Sequence, residues 1–223
     1  MLAVERAAYL TMDDGPTEDF MEKVEYLNGK GIRAIWFCAG EALERFSEEA
    51  KHAIKTGHVI GNRSYDCADF SAISLLDVRG QLERSDRIIE QLYAEADVER
   101  PSKAFRYPYV QDETNDEHFA AIERLLEQLG YQQPSFEKIR YAAPNEASMK
   151  PGIHVSCTLD TFDLAADGAL SGGGDSQASN GNEIIMIHDW ISAEPFKALV
   201  DKLLAMGLAF RLPKETSLNV QLV

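Results

Sequence analysis

The stretch Ala7-Ala8-Tyr9-Leu10-Thr11-Met12-Asp13-Asp14-Gly15-Pro16 decides the fold. Residues 7–12 read as a short buried strand that runs straight into two carboxylates and a Gly-Pro turn. The proline can open the next helix, and Phe20, Val24 and Leu27 do recur at helical spacing. Gly29 and Gly31 stop that helix, and residues 32–37 read as a second strand.

The alternation continues outward. A helix is expected over 42–55, ended by Thr56-Gly57, then a short strand over 58–62. The longest helix is expected over 74–95, with Leu75, Val78, Leu82, Ile89 and Leu92 close to one face, a stripe that core packing explains. Residues 104–107 read as a strand, 116–129 as a helix capped by Gly130, 153–157 and 184–187 as strands, 195–206 as a helix and 209–212 as a last strand. Strands alternating with helices from end to end predict an α/β class built on a parallel sheet or barrel with crossover helices. The length, 223 residues, suits one domain over 1–223 with a full core.

Composition narrows the function classes. Hydrophobic residues make up 45% and charged residues 26%, the mix of an ordinary globular protein. A formal charge of −15 argues against a nucleic-acid partner, which needs clustered Lys and Arg, and leaves a neutral sugar or amide open. Cys38, Cys67 and Cys157 are odd in number and widely spaced, so reduced thiols are expected rather than a disulfide framework. Without a membrane-length apolar run or a basic-then-apolar leader, the expectation is a cytoplasmic chain with no membrane partner. Residues 165–182, rich in Gly, Ser and Asn, read as a loop: a surface insertion, or a cover over the strand ends.

Polar groups at the C-terminal ends of the strands are the candidates for chemistry, because that end of an α/β barrel collects the loops. Five segments qualify: 11–16, 62–67, 106–109, 160–163 and 188–189. Asp13 and Asp14 sit on one turn but point differently, so one can bind a cation or act as base while the other orients a water. Arg106, if buried, needs a carboxylate, with Asp13 and Asp163 the natural partners. His188, after four apolar strand residues, reads as a functional group at the strand end or as a satisfied core histidine.

Taken together and in order, these motifs resemble the polysaccharide deacetylases of the NodB-homology family, carbohydrate esterase family 4, over essentially the whole chain. The resemblance implies a distorted (β/α) barrel of about seven strands and hydrolysis of a carbon–nitrogen amide bond in an N-acetylated sugar. Thr11-Met-Asp-Asp-Gly-Pro16 is similar to the motif whose first aspartate is the general base and whose second binds a divalent metal such as zinc; those roles fall on Asp13 and Asp14. Phe105-Arg-Tyr-Pro-Tyr109 looks like the wall in which Arg106 orients the catalytic aspartate and the Tyr109 backbone helps hold the oxyanion, with Val110 in place of a glycine. Leu159-Asp-Thr-Phe-Asp163 is similar to the fourth motif, making Asp163 the partner of Arg106, with Leu164 where a tryptophan normally floors the sugar pocket. Ile185-Met-Ile-His188 looks like the fifth, whose histidine protonates the leaving amine.

The second motif departs. The family reads Gly-Asn-His-Ser-x-x-His, whereas this chain has Gly61-Asn-Arg-Ser-Tyr-Asp-Cys67. Arg63 offers only donors and ligates no cation. Cys67 can bind zinc as a thiolate, with Asp66 or Asp69 as substitute ligands. The alternative is that Arg63 supplies the positive charge, pairing with Asp14 and polarising the acyl oxygen, with no cofactor at all. Three readings follow: a deacetylase, weak or metal-independent; an impaired homologue that binds a glycan or protein; and a metal-free amidohydrolase on a small cyclic amide, as in the allantoinase-like branch.

Overall fold

The opening stretch folds as β1 (Arg6–Gly15), longer than expected because it has a pairing partner along its whole length. In the computed structural model, which describes residues 6–111, 115–139, 152–161 and 181–214, it is the central strand of a six-stranded parallel sheet. The others are β2 (Ile35–Cys38), β3 (Val59–Asn62), β4 (Leu159–Asp160), β5 (Glu183–His188) and β6 (Leu208–Phe210), in the order β3-β2-β1-β5-β4, with β6 beside the start of β1. Residues 8–13 of β1 pair with β5, residues 11–15 with β2, and residues 6–8 with β6.

The helices are α1 (Phe20–Gly29), α2 (Gly40–Arg45), α3 (Ser47–Lys55), α4 (Leu75–Ala96), α5 (Asp116–Gln128) and α6 (Ala193–Ala205). The single helix expected over 42–55 is two, divided at Phe46, whose backbone (φ −118°, ψ 42°) leaves the helical region. At α4 the expected start holds: Ser74 accepts from the Asp77 N–H and closes the first turn. Among the described residues no helix is long and apolar enough to cross a membrane.

Two expected strands are replaced by looser pairing, and this closes the barrel. Residues 104–107 make one parallel bridge, Phe105 to Asn62, and residues 153–157 form no strand. Instead the Asn62 N–H donates to the Ala104 carbonyl, the Val155 N–H to that of Phe105, and the Thr158 N–H to that of Ile184. The hydrogen bonds thereby run from β3 through 104–106 and 155–160 back to β5, as a distorted barrel. With the Arg106 N–H donating to the Asn62 carbonyl at 3.1 Å, these four bonds suffice where backbone groups are buried, without a regular ladder.

Period-two alternation sorts the core into layers. Ala8, Leu10 and Met12 of β1 join Trp36, Cys38, Ile60, Ile185 and Ile187 under α1, α3, α4 and α6. Tyr9 faces the other way, among Ile35, Phe37, Val59, Ala104, Val155 and Ile184. Thr11 and Asp13 continue that inward row, so the barrel interior changes from apolar to ionic at its C-terminal end. A third cluster, with Phe70, Phe105, Tyr107 and Phe119, lies under α4 and α5.

Candidate functional site

Asp13 is completely buried at the top of the inward row and both of its oxygens are taken by arginines. Arg106 donates from Nη1 to Oδ1 at 2.6 Å, and Arg63 donates from Nη1 to Oδ2. Alternation explains Arg106: its neighbours Phe105 and Tyr107 turn into the outer aromatic cluster, which turns Arg106 inward. Its guanidinium lies 4.5 Å over the Phe37 ring, and its Nε and Nη1 also bond the Val155 carbonyl (2.9 Å) and the Thr11 hydroxyl (2.7 Å). Arg106 thus meets Asp13, one of its two expected partners; the other, Asp163, lies outside the described residues, as do Leu164 and all but 181–182 of the expected loop at 165–182.

Asp14 is aimed by backbone distortion. The register of β1 against β2 slips between Asp13 and Gly15, and Asp14 sits at φ 65°, in the left-handed region that a non-glycine residue enters at a cost of about 1–2 kcal/mol. Ser64 (φ 70°) and Cys67 (φ 58°) share that conformation in the facing loop. Such strain clusters where surrounding structure holds a side chain in a working position. Here it turns the partly exposed Asp14 carboxylate onto Arg63 Nε at 2.5 Å. Arg63 therefore spans both aspartates, and two carboxylates with two guanidiniums make a neutral quartet.

His188 lies opposite Asp13 in the β1–β5 register, and its Nε2 is 4.0 Å from Asp14 Oδ2. The ring of Trp190 stacks on it, centroids 5.3 Å apart and 28° from parallel. Tyr109, three residues beyond Arg106, exposes its side chain. Cys67 Sγ sits 3.9 Å from the Arg63 carbonyl, and burial, reinforced by Asp14, pushes its thiol up to about 11. Asp66 and Asp69 turn away: Asp66 accepts from the Ala68 N–H, and Asp69 from the N–H and hydroxyl of Ser71. Among the described residues, no three or more His, Cys, Asp and Glu side chains are grouped to hold a metal ion.

A second network, absent from the sequence reading, fixes the same strand ends. Lys23 is fully buried in α1, pairs with Asp189 Oδ1 and Asp19 Oδ1 at 2.7 Å each, and bonds the Asp189 carbonyl. The Thr17 N–H donates to Asp189 Oδ2 at 2.8 Å, and the Asp189 N–H to the Asp13 carbonyl at 2.7 Å. The signal was present: Lys23 occupies the apolar stripe of Phe20, Val24 and Leu27, where a cation needs a buried anion.

Fold and site together define an α/β barrel protein with an acidic pair, two arginines and a histidine converging at the C-terminal ends of its parallel strands. A model of the polysaccharide deacetylase family matches residues 3–134, more than half of the chain, and the chain belongs to that family. A peptidoglycan-N-acetylglucosamine deacetylase of Bacillus cereus is 32% identical over 101 residues, 45% of this chain and 35% of that protein. The chain spans about a third of the length of the curated relatives it matches. Among solved structures, a family 4 carbohydrate esterase from Streptomyces lividans in complex with acetate superposes over 94% of each chain (TM-score 0.63, 19% identity). A mutant of a family 4 pseudoenzyme with restored enzymatic activity covers 92% of this chain and 65% of its own (TM-score 0.61, 17% identity). At these identities the likeness is one of fold.

Proposed function

We propose that the chain hydrolyses the acetamide of an N-acetylated sugar, with the Arg63 guanidinium in the electrophilic role that a divalent metal takes in its family. The observation that carries this is the bridge from Arg63 to both Asp13 and Asp14. A guanidinium has no lone pair to give a cation, and it fills the face of the acidic pair that a dication would need. The charges of the quartet already balance, so a dication finds no surplus anion to bind. The residues present do not fit the metal.

In this reading the acyl oxygen accepts from Arg63, which follows the charge that develops there. Asp13 accepts a proton from water as the water oxygen bonds the carbonyl carbon. His188 gives a proton to the departing nitrogen, the C–N bond breaks, and acetate and a free amine remain. Because a guanidinium does not acidify water as zinc does, turnover is slow.

A second reading, a binding homologue without turnover, draws on the same contacts: both Asp13 oxygens are occupied, so water reaches a basic lone pair only when one guanidinium bond opens. The family 4 pseudoenzyme among the solved structures of this fold is a precedent for the fold without turnover.

Acetate release from N-acetylglucosamine oligomers, with and without chelator, separates them. Slow, chelator-resistant release that disappears in Asp13→Asn is expected. Stoichiometric zinc in the purified protein would overturn the role given to Arg63. The Arg63→His/Cys67→His double variant is expected to gain zinc and a faster, chelator-sensitive release.

A further inference from the structure

We infer that Gln81, on α4, is the positioning residue for Arg63: it grips the backbone of the 63–67 loop so that one guanidinium reaches both aspartates. The inference rests on the deacetylase reading for what Arg63 does, and on geometry for how it is held. A histidine ligand is drawn into place by the metal it binds. A guanidinium has no such bond, so the loop that carries it must be held from outside. This loop bears strain, with Ser64 at φ 70° and Cys67 at φ 58°, and such backbone persists only where its surroundings fix it.

The strand ends fix the start of the loop. The Arg63 N–H donates to the Cys38 carbonyl at 3.0 Å, and the Asn62 side chain accepts from the Ser64 N–H at 2.7 Å. From α2, the N–H groups of Gly40 and Glu41 donate to the carbonyls of Ser64 (3.0 Å) and Tyr65 (2.8 Å). Gly40 permits this approach, since a Cβ there would stand 2.8 Å from the Tyr65 ring. The far side of the turn is held from α4, where the Gln81 side-chain oxygen accepts from the Tyr65 N–H at 2.9 Å and the Asp66 N–H at 3.2 Å. Three residues further along the same helix face, the Arg84 guanidinium lies 3.3 Å over the Tyr65 ring. Arg84 holds a side chain, whereas Gln81 holds the backbone just past the left-handed Ser64. That backbone sets where the Arg63 side chain starts and so which carboxylates it reaches.

The test reads Arg63 itself, by the exchange with water of its Nε–H, which Asp14 accepts. In nitrogen-15 spectra of the intact chain this signal is assigned as the one that Arg63→Lys removes. Gln81→Met keeps length and helix propensity but loses the acceptor, whereas Gln81→Glu keeps an acceptor. Exchange is expected to quicken on the order of tenfold in Gln81→Met and to stay within about threefold of the parent in Gln81→Glu. The Arg106 Nε–H, held by the Val155 carbonyl, should change in neither. Unchanged Arg63 exchange in Gln81→Met overturns the inference, and so does equal quickening in Gln81→Glu or an Arg106 signal that moves with it. If Gln81→Met does not fold, the parent still decides: a Tyr65 amide that exchanges as freely as an exposed one shows that Gln81 holds nothing. Where the parent releases acetate, kcat should fall at least tenfold or so in Gln81→Met, with KM little moved, and recover in Gln81→Glu. The expected exchange pattern without any acetate from the parent keeps the positioning role and fells the hydrolysis; acetate from the parent with unchanged exchange in Gln81→Met does the reverse.

Discussion

Two buried ionic networks lie side by side at the ends of β1 and β5, and they are built to opposite rules. In the clamp, one lysine meets Asp189 and Asp19, and Asp189 is bonded by Lys23 and by the Thr17 backbone, with Lys23 and Asp189 wholly out of solvent. In the quartet, Asp13 is as deeply buried, but Asp14 is partly exposed, its backbone is strained, and among the described residues Arg106 Nη2 is buried without a hydrogen-bond partner. A network meant only to hold a turn satisfies its groups and excludes water. One that leaves a strained carboxylate at a solvent edge keeps something in reserve, and that difference marks the quartet, not the clamp, as the place for chemistry.

The largest expected effect tests this directly. Lys23→Met leaves the Asp189 carboxylate buried without its cation, and burial already pushes that carboxyl above its usual range. Breaking such a pair costs about 3–5 kcal/mol. Arg63→Ala is expected to cost less, about 1–3 kcal/mol, because Asp13 keeps Arg106 and Asp14 turns to water. Urea unfolding of both variants decides it: equal losses would mean that the quartet is as structural as the clamp.

Gly15→Ala sharpens the same contrast at a smaller scale. A Cβ at Gly15 would stand 2.6 Å from Asp189 Oδ2, an oxygen that Thr17 and the neighbouring Lys23 contact hold still. A loss of about 1–3 kcal/mol is expected. In the Lys23→Met background the carboxylate is free to give way, so the two losses should add to less than their sum. Strict additivity in a double-mutant cycle would show that the clamp is not rigid.

The quartet was more legible in the sequence than the clamp, and the reason is the strand. Asp13, Asp14 and His188 each end an apolar run, and a parallel register brings residues at the ends of neighbouring strands together; Asp13 opposite His188 follows from that. Arg106 could be assigned to Asp13 or Asp163 because a buried guanidinium demands a carboxylate. The Lys23–Asp189 pair spans 166 residues and depends on how α1 lies across the strand ends, which no local pattern encodes. The barrel closure was misplaced for a related reason: residues 104–107 and 153–157 have strand-like composition, yet non-local geometry grants them isolated bonds and gives the ladder to Leu159–Asp160. The break at Phe46 is likewise set by packing, since Glu44-Arg45-Phe46-Ser47 carries no Gly or Pro.

The smallest effect concerns Cys67, the member of the quartet's rim whose role differs most between the readings. A metal ligand or nucleophile must be available as thiolate. With its thiol pushed up to about 11 by burial, on the order of one molecule in a thousand is ionised at pH 8, against about a quarter for a free cysteine. Alkylation by iodoacetamide at pH 8, read site by site by mass spectrometry, should therefore be slower at Cys67 than at a model thiol by on the order of a hundredfold. Arg63 lowers that thiol and Asp14 raises it, so Asp14→Asn should speed the reaction and Arg63→Ala slow it, provided neither opens the loop. Rapid labelling of the parent would mean that Arg63 stabilises a thiolate at the rim, and would return Cys67 to the list of groups able to take a metal or attack an acyl carbon.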